Sequence, residues 1–117
     1  MQIEPANFYK QLADETRLRS LVLMMAEGEL CVCELTYALG VSQPKISRHL
    51  AQLREARLVQ DRRAGQWIYY RVNPELPDWA RTVLDTTMIG LRNGKPFGRD
   101  RDALERMPNR PGAACCA

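Results

Sequence analysis

Apolar residues recur at helical spacing in several separate stretches of the chain. After Pro5, Phe8 and Leu12 with the adjoining Ala13 predict a short first helix. Asp14 then has the chemistry of an N-cap, and Leu18, Leu21, Val22 and Met25 carry an amphipathic helix onward until Gly28 stops it. A shorter segment, Cys31 to Leu39, places Val32, Leu35 and Leu39 on one face and is followed by Gly40, the residue type that ends helices in a left-handed conformation. Ser42 is a good N-cap for the next helix, Gln43 to Ala56, which tolerates Pro44 in its first turn and buries Ile46, Leu50 and Leu53. Two short helices separated by Gly40-Val41-Ser42 form a helix-turn-helix pattern. Beyond Leu58 the period becomes extended: Val59 to Arg63, a turn at Ala64-Gly65, then Gln66 to Val72, rich in aromatic and β-branched residues. This predicts a β-hairpin, placed as the wing of a winged helix. Pro74 and Pro77 end it, and Leu76, Trp79, Ala80, Val83, Thr87 and Leu91 mark a further helix whose stripe has no later helix to cover it. From Asn93 onward Gly94, Pro96, Gly98, Pro108, Pro111 and Gly112 break every pattern. The expected fold is therefore mainly α with a small β-hairpin: a winged helix-turn-helix over residues 1–92, with a flexible tail over 93–117 that carries Cys115-Cys116.

A chain of 117 residues holds one domain with a modest core. Its longest apolar run, Leu21 to Ala26, is far below the roughly 18 residues of a membrane span, and Met1-Gln2-Ile3-Glu4-Pro5 has no basic start or apolar signal core. No membrane partner, a cytoplasmic location and reduced cysteines are expected from this. The net charge of +3 says little until it is divided along the chain. Between Ser42 and Val72 lie Lys45, Arg48, Arg54, Arg57, Arg62, Arg63 and Arg71, against Glu55 and Asp61 only. A basic block of this kind inside a nearly neutral protein is the footprint of a phosphate-backbone binder.

With Ile46, Leu50 and Leu53 facing the core, Gln43, Lys45, Ser47, Arg48 and His49 lie at the front or flank of the N-terminal half of the second helix of the pair, the part that enters the major groove. Gln43 suits adenine, Arg48 suits guanine or a phosphate, and Lys45, a flexible point charge, suits phosphate. Arg62, Arg63 and Gln66 would reach the flanking minor groove or backbone from the wing. His49 is the single histidine, so a hydrolase triad lacks a spare base and a histidine-rich metal site is excluded. No glycine-rich phosphate loop or paired-carboxylate site is present, and the chain reads as a non-enzyme without an organic cofactor.

Cys31-Val32-Cys33 abuts this reader. Zinc knuckles need two-residue gaps and four ligands, and a structural disulfide is disfavoured in a reducing compartment. A soft, thiolate-selective ligand or a redox switch remains. Residues two apart on an ideal helix point about 200° from each other, so both sulfurs can meet one ion only at a non-helical start of the segment or after unwinding.

Glu29-Leu30-Cys31-Val32-Cys33-Glu34-Leu35, together with Ser42-Gln43-Pro44-Lys45-Ile46-Ser47-Arg48-His49-Leu50 and Gln66-Trp67-Ile68-Tyr69-Tyr70-Arg71, resembles the arsenic-responsive repressors of the ArsR/SmtB family over roughly Phe8 to Leu91. The resemblance implies a homodimeric winged-helix repressor on double-stranded operator DNA of an arsenic-resistance operon, released when a trivalent arsenical or antimonite binds cysteines. It implies DNA contacts from Ser42, Gln43, Lys45, Ser47, Arg48, His49, Arg62, Arg63 and Gln66. A dimer face is expected from Phe8, Leu12, Leu76, Trp79, Val83, Leu84, Thr87 and Leu91. Metalloid ligands are expected at Cys31 and Cys33, with Cys115 and Cys116 as further candidates. The chain departs from the family pattern at Thr36, where such members commonly carry a third cysteine. The third donor could be Cys115 or Cys116, a hydroxide or buffer thiol, or the carbon of a methyl or aryl arsenical. A sensor of cadmium, lead or mercury, a thiol-based redox repressor, and a thiol-dependent metal carrier or redox enzyme are the competing readings.

Overall fold

A computed structural model of the chain describes residues 3–110. Helix α1 (Pro5–Leu12) starts where the Glu4 carboxylate accepts the Ala6 and Asn7 amides, and α2 (Glu15–Glu27) starts where Asp14 accepts the Arg17 amide at 3.0 Å. A strand, β1 (Glu29–Cys31), follows and leads directly into α3 (Val32–Leu39). Gly40 closes α3 with φ +68°, a left-handed conformation that a Cβ would oppose, and so turns the chain into α4 (Gln43–Glu55) with Ser42 at its N-cap position. Strands β2 (Val59–Ala64) and β3 (Trp67–Val72) form the hairpin, with Gly65 at φ +62° in the turn. Helices α5 (Asp78–Leu91) and α6 (Phe97–Glu105) complete the described chain.

The hairpin is part of a three-stranded antiparallel sheet of order β1-β3-β2, not a free ribbon. Leu30 faces Tyr70 and Cys31 faces Tyr69, while Arg62 is the other neighbour of Tyr69. A three-residue strand is too short to show a period of two, and the sequence reading had assigned Cys31 to a helix. Leu21, Met24, Leu30, Leu35, Ile46, Leu50, Leu53, Leu58 and Val59 are all buried beneath these elements. The core thus sits behind the helix-turn-helix and holds α3 and α4 as one unit.

Two expectations need correction. The breakers Gly94, Pro96 and Gly98 stand before or at the start of α6 rather than along it, and the segment from Arg99 to Glu105 contains none. Helix α6 packs against α3 and α2 and buries Leu104 completely. Its Asp100, 2% exposed, accepts two bonds from Arg19 on α2, at 2.9 and 2.6 Å. Residues 97–105 are therefore core, not a mobile tail; Cys115 and Cys116 lie outside the described residues. The α5 stripe is likewise covered, chiefly by α2 of the same chain. Phe8, Leu76 and Leu84 are buried in the chain's own core, and Leu12, Val83, Thr87 and Leu91 are half-buried. Of the expected dimer face only Trp79, in the first turn of α5, is well exposed, beside Tyr9; Ile89 near the other end of α5 is exposed as well.

Replacing Leu104 with Ala removes a fully buried leucine from α6 and should cost about 2–5 kcal/mol of stability, read as a lower urea midpoint at unchanged slope. A midpoint shift under about 0.5 kcal/mol, the value of a surface change, would place α6 outside the cooperative unit.

Candidate thiol site and nucleic-acid interface

Cys31 ends β1 and is the N-cap of α3, with φ −88° and ψ 167°; Cys33 lies in the first helical turn. The extended conformation of Cys31 removes the 200° obstacle, and the two sulfurs stand 2.8 Å apart with no unwinding of α3. Glu34 fixes this geometry. Its Oε1 accepts the Cys31 amide at 2.8 Å, and its own amide faces the Cys31 sulfur, a capping box in which sulfur occupies the place of a serine or threonine hydroxyl. The second oxygen of Glu34 accepts from Arg110 Nε, and Arg110 also reaches Glu27 at 3.5 Å.

Cys31 is 1% exposed and Cys33 half-buried. Burial pushes the Cys31 thiol well above its ordinary range, reinforced by the neighbouring Cys33 and the Glu34 charge. Cys31 is therefore held as a neutral thiol. A trivalent arsenic hydroxide condenses with neutral thiols by releasing water, whereas a divalent cation must displace their protons into solution. Among the described residues no group of three His, Cys, Asp or Glu side chains could hold a metal ion. Thr36, at the place of a third sulfur, donates its hydroxyl to Val32 O at 2.9 Å. Beside the thiols an open cleft of about 580 Å³ runs between α3, the start of α4 and β3, with Met107 from the end of the described chain on its wall.

The expected DNA residues fall into two groups. Ser42, Gln43, Lys45, Arg48, Arg63 and Gln66 are exposed on the α4 N-terminus and the wing, with Ser47 half-buried next to them and bonded to Gln43 at 3.3 Å. Lys45, Arg48 and Arg63 have no ion-pair partner among the described residues, which leaves their charge for phosphate or base. Arg62 and His49 are instead occupied. Arg62 makes two bonds to Glu29, at 2.8 and 2.6 Å, and stacks 4.9 Å from the Tyr69 ring centroid, bracing β2 to β1 across the central strand. His49 turns back toward α2, with Nδ1 3.2 Å from Arg17 Nη1 and Nε2 3.9 Å from Asp14 Oδ1. Since a guanidinium only donates, His49 Nδ1 accepts, which places the proton of the neutral ring on Nε2, toward Asp14. The residues that sequence reasoning missed are Glu34, Arg110 and Arg17. Their roles depend on contacts across 76 and 32 positions, which no local pattern reports.

Helix, left-handed turn, helix and wing, with a basic reading surface, define a winged helix-turn-helix DNA-binding regulator. Residues 14–61 match the family described as bacterial regulatory protein, arsR family. The chain is 49% identical over 97% of its length to the arsenic resistance transcriptional regulator ArsR2 of Pseudomonas putida, covering 99% of that protein. It is 61% identical over 93% of its length to ArsR1 of the same organism, covering 84% of it. Among solved structures, HlyU from Vibrio cholerae superposes with a TM-score of 0.66 at 29% identity, over 74% of this chain and 90% of that one. The AntR antimony-specific transcriptional repressor gives 0.60 at 29%, over 74% and 75%. The homodimeric winged-helix domain of a possible ArsR-family regulator from Mycobacterium bovis gives 0.61 at 31%, over 75% and 78%. The chain belongs to the ArsR family, a family of transcriptional regulators and not of enzymes.

His49 gives the fold a pH signature. Burial foremost, with Arg17, Arg48 and Lys45 nearby, holds its pKa below the ordinary 6.5 despite the opposite pull of Asp14. Between the folded value and 6.5 the unfolded chain binds more protons, so stability must fall as pH drops through that window. Unfolding midpoints measured between about pH 8 and 5.5 should show this slope, and His49→Gln should flatten it. An unchanged slope would mean that His49 is solvated rather than held against Arg17.

Proposed function

We propose that the chain is a cytoplasmic, homodimeric repressor of an arsenic-resistance operon. It binds double-stranded operator DNA through α4 and the wing, and leaves it when a trivalent arsenical or antimonite condenses with Cys31 and Cys33. The observation that carries this reading is the convergence of two thiols, one buried and one half-buried, at the start of α3, the first helix of the DNA reader. The names of the Pseudomonas putida relatives and of AntR support a metalloid inducer. Exposed Tyr9 and Trp79, with ring centroids 6.4 Å apart, and Ile89 supply the apolar surface for a second copy. In such a dimer the two α4 helices read half-sites about 34 Å apart.

Arsenite takes three donors, and two are in place. Cys115 and Cys116 are the sulfurs that can supply the third, because Arg110 is anchored on Glu34, the residue that caps Cys31. Five residues of extended chain span up to roughly 17 Å, ample for Cys115 to reach the pair. If the inducer binds free protein about 100-fold more tightly than the DNA complex, DNA affinity falls by the same factor, about 2.7 kcal/mol.

A mobility shift on a palindromic fragment of an arsenic-resistance promoter tests the reading. Arsenite should release the fragment from the wild type and not from Cys33→Ser; undiminished release from Cys33→Ser would overturn it. A chain ending at Arg110 should lose most of its arsenite response while keeping its DNA affinity, and an unaltered response would exclude the tail sulfurs. Within the interface, Arg48→Ala should cost about 1–3 kcal/mol of specific affinity, and Lys45→Ala should lower the salt slope by about one. Equal weakening on unrelated DNA would reassign Arg48 to the phosphate backbone.

A further inference from the structure

We propose that the cleft beside Cys31 and Cys33 is a specificity site for trivalent arsenicals carrying an aryl group, with the ring seated against Trp67, Ile68, Tyr37 and Met107. The proposal rests on the reading of the two thiols as the inducer site, and it adds the class of inducer that site prefers.

The two sulfurs converge at one end of a cleft whose volume, about 580 Å³, falls in the range of small-molecule sites. Trivalent arsenic held by both sulfurs directs its third substituent outward from the pair, and the cleft lies there. Its walls offer an indole, a phenol ring, a branched aliphatic chain and a thioether, surfaces that gain from covering an apolar ring. A hydroxyl in the same position covers none of this apolar wall and gains nothing from it. The condensation balances without an oxidant: in R–As(OH)2 two As–O bonds break and two As–S bonds form. Each thiol proton leaves on a hydroxyl as water, the As–C bond stays intact and arsenic remains trivalent.

The position of the cleft also gives the ring a lever. Gln43, in the first turn of α4, and Gln66, at the tip of the wing, both line it. Both are exposed residues of the reading surface, so a ring in the cleft pushes between the two parts that must meet DNA together. Arsenite, with no ring, has no such wedge and depends on a third sulfur.

The experiment compares phenylarsine oxide with arsenite in release of the labelled promoter fragment. The full-length chain carries Cys115→Ser and Cys116→Ser, so that the vicinal tail thiols do not capture the phenyl compound. On this chain the phenyl compound is expected to release DNA at a concentration at least about tenfold below that at which arsenite releases the wild-type chain. Trp67→Ala should remove most of that advantage while leaving the arsenite response of the otherwise wild-type chain unchanged. Tyr37→Ala, at an exposed position, serves as the second variant should Trp67→Ala fail to fold. Binding of phenylarsine oxide should in addition quench tryptophan fluorescence in the Cys115→Ser, Cys116→Ser chain and not when Cys31→Ser is added. Release by the phenyl compound only at arsenite concentrations or above, or equal loss of both responses in Tyr37→Ala, would overturn the cleft assignment. Release of wild-type protein from DNA by neither compound would overturn the inducer reading itself.

Discussion

Glu34 is the constraint on which the candidate site depends. A carboxylate 2% exposed is costly to bury, and it persists because each of its oxygens has a partner. One oxygen holds the Cys31 amide and the other holds Arg110. The first contact keeps Cys31 extended at the end of β1, which is why its sulfur meets that of Cys33 instead of pointing to the far side of the helix. The second ties the chain beyond α6 to the same spot. Remove Glu34 and both the convergence of the thiols and the anchor of the C-terminal segment lose their cause.

A second ion pair does for the far end of α3 what Glu34 does for its start. Arg19 donates from Nη2 to Leu39 O, in the last turn of α3, and from Nε and the same Nη2 to Asp100 of α6. Helix α3 is thus clamped at both ends by polar contacts that involve α6 or the residues just after it, and Leu104 fills the apolar space between. A short helix of eight residues has little intrinsic stability. Clamped in this way it is held against the core, and Gly40 joins it directly to the turn before α4.

The elements with strong local signals were legible: the Asp14 cap, the Gly40 turn, the α4 stripe of Ile46, Leu50 and Leu53, and the hairpin turn at Gly65. The cysteine pair was legible as chemistry, and helix geometry left two ways for its sulfurs to meet, a non-helical start or an unwound helix, of which the structure has the first. What escaped was set by distant contacts. Strand β1 exists only through pairing with β3, some 40 positions later, and α6 follows breakers that suggested an end to structure. Arg62 and His49 have the composition of DNA contacts, yet Glu29 and Arg17 claim them. Charge and position on a helix do not reveal whether a neighbour from another element is already there.

Because the sulfurs already converge, the proposed condensation with arsenic needs no unwinding of α3. On that reading the lever on DNA is whatever fills the third position on arsenic. A tail sulfur in that position pulls on the segment anchored by Arg110, and a ring in that position pushes on Gln43 and Gln66. Thr36 matters here for what it withholds: a cysteine at that site would supply the third donor from α3 itself, whereas here that donor must come from elsewhere. With threonine there, its hydroxyl committed to Val32 O, binding at the thiols is coupled to the reading head only through a group that α3 does not provide.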